Sequence, residues 1–225
     1  MAGLGSRFSQ AGYTEPKPLI PVNGVPMFVH SERCIGLDFT KRIFITRKEQ
    51  NLRESILEYY PDAVVVELDH DTQGTACTLL EAREHYTAGE AIFIANCDQH
   101  VEWNTWLVKQ TISQHEVDGL IAVFPEPGRD PKWSYAQIDS EFRVYRVAEK
   151  DPISDWATVG FYYWRDSKDF VTSAEKMIAA DDRVNGEFYT CPTYNYATGK
   201  YIRAVEVQKM NGIGTPEDLD KWLSS

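Results

Sequence analysis

Long apolar runs are absent from this chain of 225 residues. No stretch approaches the roughly 20 apolar residues that a membrane helix needs, and no apolar signal segment follows Met1. A membrane partner is therefore not expected, and the cytoplasm is the expected location. Cysteine is scarce: Cys34, Cys77, Cys97 and Cys191 are widely spaced, with no CxxC pair and no Cys/His cluster in the sequence. That spacing suggests neither a zinc site nor a disulfide framework, and buried free thiols are the expectation. Basic residues are in the minority, 23 Lys and Arg against 34 Asp and Glu, for a formal net charge of -11. A mean field of that sign repels polyanions, so nucleic acid is not an expected partner, and an anionic ligand must be captured by a local basic site. The 43% hydrophobic and 12% aromatic content is enough for a packed core and argues against extended disorder.

Short β-branched runs alternate with segments of helical spacing. The runs RIFIT (42–46), AVVVEL (63–68), AIFIAN (91–96) and GLIAVF (119–124) read as buried strands. KEQNLRESILEYY, TACTLLEAREHY and TWLVKQTISQH place apolar residues three and four apart and read as amphipathic helices. This alternation predicts an α/β fold built on a mainly parallel sheet flanked by helices. From Tyr135 the texture changes. YAQIDSEFRVYRVAEK and WATVGFYYWR predict a small antiparallel excursion lying over the parallel core. SKDFVTSAEKMIAA returns to helix, KYIRAVEVQKM to strand, and TPEDLDKWLS to a helix capped by Thr215 with Pro216 in its first turn. Residues 1–225 are expected to form one domain, with no internal repeat or linker. A glycine turn of the kind at the start should follow a buried strand, yet Met1 is already in the turn. Residues upstream of Met1 are the favoured explanation; otherwise the sheet forms without that strand.

The chemistry begins in MAGLGSRF. Gly3 and Gly5 can adopt conformations closed to other residues and let main-chain N–H groups converge on an anion, and Arg7 adds a permanently charged fork. In PKPLIPVNG, Pro16 and Pro18 fix the backbone on either side of Lys17, so its ammonium is presented rigidly. A glycine turn beside a held lysine suggests a phosphate clamp.

These blocks, followed by QGTA (73–76), NCD (96–98), EK (149–150), VGFY (159–162), NGEFY (185–189) and GIGTPEDL (212–219), resemble the nucleotidyltransferases that make activated sugars. These are the sugar-phosphate pyrophosphorylases and related cytidylyltransferases of the glycosyltransferase-A-like fold, and the resemblance runs nearly end to end. It implies a Rossmann-like sheet and a pyrophosphate-releasing transfer of a nucleoside monophosphate from an NTP to a phosphorylated acceptor. The implied nucleotide-binding residues are Ala2, Gly3, Leu4, Gly5 and Ser6 around the phosphates and Gln73, Gly74 and Thr75 beside the base. Arg7 and Lys17 would balance phosphate charge. Asp98 would hold Mg²⁺ (or Mn²⁺), and Lys150, Gly160 and Glu187 would face the acceptor. The reaction needs little else, since two anions must be brought together and charge on the departing pyrophosphate neutralised.

One position departs from the family pattern. Many sugar pyrophosphorylases place a second metal-binding aspartate where this chain has Gly212. Glu187 is the substitute named for that ligand, with a loop-holding or acceptor-binding role as its alternative, and Asp218 reads as a first-turn helix charge. Taken singly, Asp98 reads as a cap or turn residue, Lys150 as a solvated charge and His100 as a loop histidine. NGEFY and Gly212 look more like the capsule and surface-polysaccharide branch, so CTP is preferred over UTP, dTTP or GTP. The acceptor is a sugar 1-phosphate or a smaller phosphorylated molecule. Two other functions are open to the sequence. A glycosyltransferase of the same fold normally relies on DxD, which DQH (98–100) is not; a catalytically silent nucleotide-binding regulatory domain gains some weight from Gly212. A homo-oligomer is compatible with the sequence.

Overall fold

The computed structural model describes residues 1–3, 5–114 and 117–224. In chain order the first elements are α1 (Ser6–Gln10), β1 (Pro21–Val22), β2 (Val25–Pro26), α2 (Met27–Ile35), β3 (Ile43–Arg47), α3 (Arg53–Tyr59) and β4 (Val64–Leu68). Next come α4 (Thr75–Leu80), β5 (Ile92–Ala95), β6 (Gln99–Glu102), α5 (Thr105–Gln114), β7 (Gly119–Pro125), β8 (Ser134–Ile138), β9 (Arg143–Glu149) and β10 (Trp156–Trp164). The chain ends with α6 (Ser167–Ala179), β11 (Ile202–Glu206), β12 (Lys209–Gly212) and α7 (Pro216–Leu223). Contacts sort these into two compact units. The first comprises Met1–Asp71, Asn96–Trp103 and Lys209–Ser225; the second comprises Thr72–Ala95 and Asn104–Gln208.

In the first unit β3 and β4 pair in parallel, β1 and β2 form a small antiparallel ribbon, and β6 pairs antiparallel with β12. The short helix α2 buries Met27, Phe28 and Val29 in succession, so it serves two clusters. Met27 packs with Phe8, Ile20, Val22, Ile213 and Leu219, while Phe28 and Val29 pack with Leu52, Ile56 and Val65. Full burial of side chains of this size contributes about 1.5–3 kcal/mol each. Thr215 caps α7 by accepting from the Asp218 N–H at 3.1 Å, with Pro216 in the first turn, as its sequence predicts.

The second unit holds a six-stranded sheet in the order β5-β10-β7-β11-β9-β8. Its only parallel pair among the described residues is β7 with β11. The sheet is therefore mixed, not the mainly parallel Rossmann-like sheet expected. The physical reason is connectivity: β8 and β9 are joined by a turn too short for a crossover helix and must run antiparallel. Nor does the antiparallel segment lie over the core. β10 is inserted between β5 and β7, antiparallel to both, and every residue after Trp156 in it is buried. A strand apolar on both faces belongs in the middle of a sheet. β8 also pairs with β10 through Tyr135 and Ala157, closing β10, β7, β11, β9 and β8 into a small barrel-like ring. Trp164 stacks on Tyr194 at 4.1 Å within this core.

Two predicted helices are shorter than their patterns. The Lys48–Gln50 segment forms a separate 3₁₀ turn because Asn51 is left-handed (φ 49), and α3 begins only at Arg53. α4 ends at Leu80, with a 3₁₀ turn at Arg83–His85. KYIRAVEVQKM is two strands, β11 and β12, in different sheets. The last residue of the third predicted helical segment, His115, lies outside the described residues.

Candidate active site

In the first unit Gly5 is left-handed (φ 64) and precedes α1, whose first turn closes on its carbonyl through the Phe8 N–H at 3.0 Å. A side chain at Gly5 would bring its Cβ 3.1 Å from the Cβ of Lys17, so glycine is needed both for its backbone angle and for the approach of Lys17. Gly3 is exposed with open space where a side chain would be, and its carbonyl accepts from Gln50 at 3.0 Å. Ala2 is half-buried, Ser6 and Arg7 are exposed, and Leu4 lies outside the described residues.

Lys17 starts a 3₁₀ turn between Pro16 and the buried Pro18, and its ammonium donates to Asp98 Oδ2 in a partly buried ion pair. Burial opposes the Lys17 charge, but the Asp98 carboxylate and its hydrogen bond outweigh that and hold the ammonium above the ordinary lysine range. Beside Asp98, burial pushes the Cys97 thiol up and keeps it protonated. Asp98 sits in the bend between β5 and β6, and its carbonyl accepts from the Ile213 N–H at 3.0 Å. Gly214 follows, and a Cβ there would meet Asp98 Oδ2 at 2.6 Å and Lys17 Nζ at 3.4 Å. Gly212 pairs with Gln99, the residue after Asp98.

In the second unit Gly74 has φ 122 and precedes α4. A Cβ on it would fall 2.4 Å from the Phe188 carbonyl oxygen and 2.5 Å from the Phe188 nitrogen. Phe188 N–H donates to the Gln73 carbonyl at 2.8 Å, Ala76 N–H to the Phe188 carbonyl at 3.0 Å, and Thr190 N–H to Thr75 Oγ1 at 3.0 Å. QGTA and NGEFYT are thus stitched along their length, and the small residue at 74 is required by the main chain of Phe188. Gln73 remains exposed.

Asn185 and Gly186, both left-handed, form the turn that presents Glu187, with Val184 and Glu187 exchanging main-chain bonds at 3.0 and 3.1 Å. Lys150, itself left-handed (φ 55), donates from Nζ to Tyr189 Oη at 2.6 Å and lies 4.5 Å from the centre of that ring. Tyr189 in turn hydrogen-bonds Glu187, making a Lys150–Tyr189–Glu187 chain. The Tyr189 bond is the largest influence holding Lys150 above the usual lysine range. Next to it, burial raises the Glu149 pKa, while the Ser134 hydroxyl, donating to Glu149 Oε2, partly offsets the shift. Gly160 (φ 89) marks the irregularity in β10 between Thr158 and Tyr162 where its register with β7 shifts.

Residues 1–156 match the MobA-like NTP transferase domain. The chain belongs to that family and is a nucleotidyl-transfer enzyme. A nucleoside-diphosphate-sugar pyrophosphorylase from Vibrio cholerae is similar over 100% of this chain and 98% of its own, with 27% identity and a TM-score of 0.86. Two further structures share the fold. A Bacillus anthracis protein assigned as a glucose-1-phosphate thymidylyltransferase has 21% identity and TM-score 0.78, covering 98% of this chain and 90% of its own. The inositol-1-phosphate CTP transferase of T. maritima has 16% identity and TM-score 0.75, covering 99% and 90%.

For this nucleotidyltransferase the structure unites the sequence-predicted Lys17 and Asp98 in one unit and Lys150 and Glu187 in the other. The sequence assigns no role to Tyr189 or Gly214, and none to Glu149 beyond its place beside Lys150. Tyr189 meets Lys150 across 39 residues and Glu149 meets Ser134 across 15, so no local pattern reveals these contacts. Asp98 offers hard carboxylate oxygens, which suit Mg²⁺ bound largely through substrate phosphates. Among the described residues it joins no group of three or more His, Cys, Asp or Glu side chains able to hold an ion. His100 lies on β6, not in a loop, and His30, Cys34 and His100 do form such a group. The sequence spacing shows no Cys/His cluster because Cys34 and His100, 66 residues apart, are brought together only by the fold. No helix among the described residues is long and apolar enough to cross a membrane.

Proposed function

We propose that the chain, acting as a single domain over residues 1–225, transfers a nucleoside monophosphate from an NTP to a sugar 1-phosphate or another small phosphorylated acceptor. An acceptor phosphate oxygen attacks the α-phosphorus, the bond to the bridging oxygen breaks, and pyrophosphate leaves with that electron pair. The single observation carrying this reading is the Lys17–Asp98 ion pair beside the glycine turn. Main-chain amides around Gly3 and Gly5, with Arg7 and Lys17, receive the phosphates. Lys17 stays charged and neutralises the leaving group. Asp98 would hold Mg²⁺, which supplies further charge neutralisation on phosphate oxygens. Substrate binding would replace one ion pair with two, the phosphates taking the ammonium and the metal taking the carboxylate.

Gln73, Gly74 and Thr75 are assigned to the nucleobase, and Lys150 to the acceptor phosphate, with Tyr189 orienting its ammonium. Gly160 and Glu187 are assigned to the rest of the acceptor. CTP is the proposed donor, the cytoplasm the proposed location and surface-polysaccharide precursors the proposed products. Pyrophosphate release measured with each of the four NTPs, Mg²⁺, and either a sugar 1-phosphate or phosphocholine tests the reading. Release with CTP is expected to be fastest. No release with any NTP and acceptor would refute the proposed function, and a faster rate with UTP, dTTP or GTP would refute only the choice of base.

A further inference from the structure

A second cluster in the first unit has no place in nucleotidyl transfer. His30 and Cys34 stand four apart on α2 and therefore share a helix face. His100 comes from β6. Its Nδ1 lies 3.0 Å from His30 Nε2 and 3.4 Å from Cys34 Sγ, and the donor atoms of the three residues all fall within 4.8 Å of one another. We propose that His30, Cys34 and His100 form a binding site for a borderline-soft divalent cation, Zn²⁺ by preference, that clasps α2 to β6.

The spacing supports it. With Zn–N about 2.0 Å and Zn–S about 2.3 Å, tetrahedral geometry separates two nitrogens by about 3.3 Å and a nitrogen from sulfur by about 3.5 Å. The two observed separations that involve His100 Nδ1 are close to these edges. The ligand types are those that select Zn²⁺ over Mg²⁺, which prefers oxygen. The surroundings also suit a metal. Glu102 Oε1 lies 3.3 Å from His100 Nε2, placing the proton on that nitrogen and leaving the Nδ1 lone pair for the cation. The Val101 main chain hydrogen-bonds the Cys34 sulfur, and Trp222 stacks on His100 at 4.1 Å.

The scaffold is already fixed on both sides of the cluster. Gln99 N–H donates to Ser31 Oγ at 3.1 Å, and Trp103 Nε1 donates to the Ile35 carbonyl at 2.9 Å. Binding needs little rearrangement. As the metal binds, the thiol proton leaves to solvent and the His30 proton, which Nε2 donates to His100 Nδ1 in the metal-free cluster, moves to His30 Nδ1 so that Nε2 can ligate. Three protein ligands leave a fourth position for water or an external ligand.

Chelator-treated protein titrated with Zn²⁺ should bind one ion per chain and melt at a higher temperature. Co²⁺ in its place should show the thiolate-to-metal absorption and visible bands of a tetrahedral site. Cys34→Ser should remove the thiolate band, His100→Ala should weaken binding by more than about 100-fold, and Glu102→Gln should weaken it by about 10- to 100-fold. Asp98→Asn should leave Zn²⁺ affinity within about twofold, separating this site from the Mg²⁺ site. Because His100→Ala can disturb folding, wild-type protein supplies an independent measurement: Zn²⁺ should protect Cys34, and not Cys77, from alkylation mapped by mass spectrometry. Absence of stoichiometric binding, full binding in Cys34→Ser, or unprotected Cys34 in the presence of Zn²⁺ would each overturn the proposal.

Discussion

The main chain of Phe188 occupies the space where Gly74 would carry a side chain, with the Phe188 carbonyl oxygen 2.4 Å from the position of that Cβ. Two independent constraints thus meet at Gly74, this contact and its φ of 122. Gly74→Ala is expected to cost more than about 2 kcal/mol, since strained backbone and overpacking add. Urea unfolding measures it. A loss below about 1 kcal/mol would mean that Phe188 yields easily.

Gly214 approaches the end of a side chain and not a backbone, so the outcome there should differ. Gly214→Ala pushes on the Asp98 carboxylate and on Lys17. Turnover should fall by about 10-fold or more with little change in melting temperature. Lys17→Ala should lower turnover further, by about 10²–10³, with the fold intact by circular dichroism. Near-normal turnover in Lys17→Ala would remove the clamp from the mechanism.

Lys150 and Tyr189 form a pair whose loss should be felt at the acceptor. Lys150→Ala should raise the acceptor KM far more than the NTP KM. Tyr189→Phe removes the hydroxyl that holds the ammonium and should show a weaker form of the same pattern. Steady-state kinetics with each substrate varied decides it, and a larger effect on NTP would exchange the two assignments.

Glu149 carries the expected pH dependence. Its folded pKa is raised above 4.5, chiefly by burial, so the folded state retains a proton that the unfolded chain has released. The stabilisation is present below the ordinary glutamate pKa and is lost as pH rises through the raised value. Glu149→Gln, which can still accept from Ser134, should therefore gain stability relative to wild type as pH rises above 4.5, the ordinary glutamate value. Melting curves across that range test the sign, and a parallel pair of curves would contradict it.

Much of the local structure was readable. Ile43–Arg47, Val64–Leu68, Ile92–Ala95 and Gly119–Pro125 are strands at the β-branched runs, because burial of such runs selects extended backbone. Thr215 and Pro216 announce α7 because capping depends on neighbours three residues apart. The order of the sheet was not readable. Nothing within WATVGFYYW says that it lies between β5 and β7, because strand order depends on pairing between segments far apart in sequence.

The same division runs through the site. The amino-acid sequence by itself determined the glycine turn and the proline-fixed Lys17, both set by backbone preferences acting over a few residues. Only the tertiary structure decided that Lys17 meets Asp98, 81 residues away, that Tyr189 holds Lys150, and that His30, Cys34 and His100 converge. Those contacts arise when helices and strands bury their apolar faces, and the polar side chains they bring together are carried along by packing that no local pattern records.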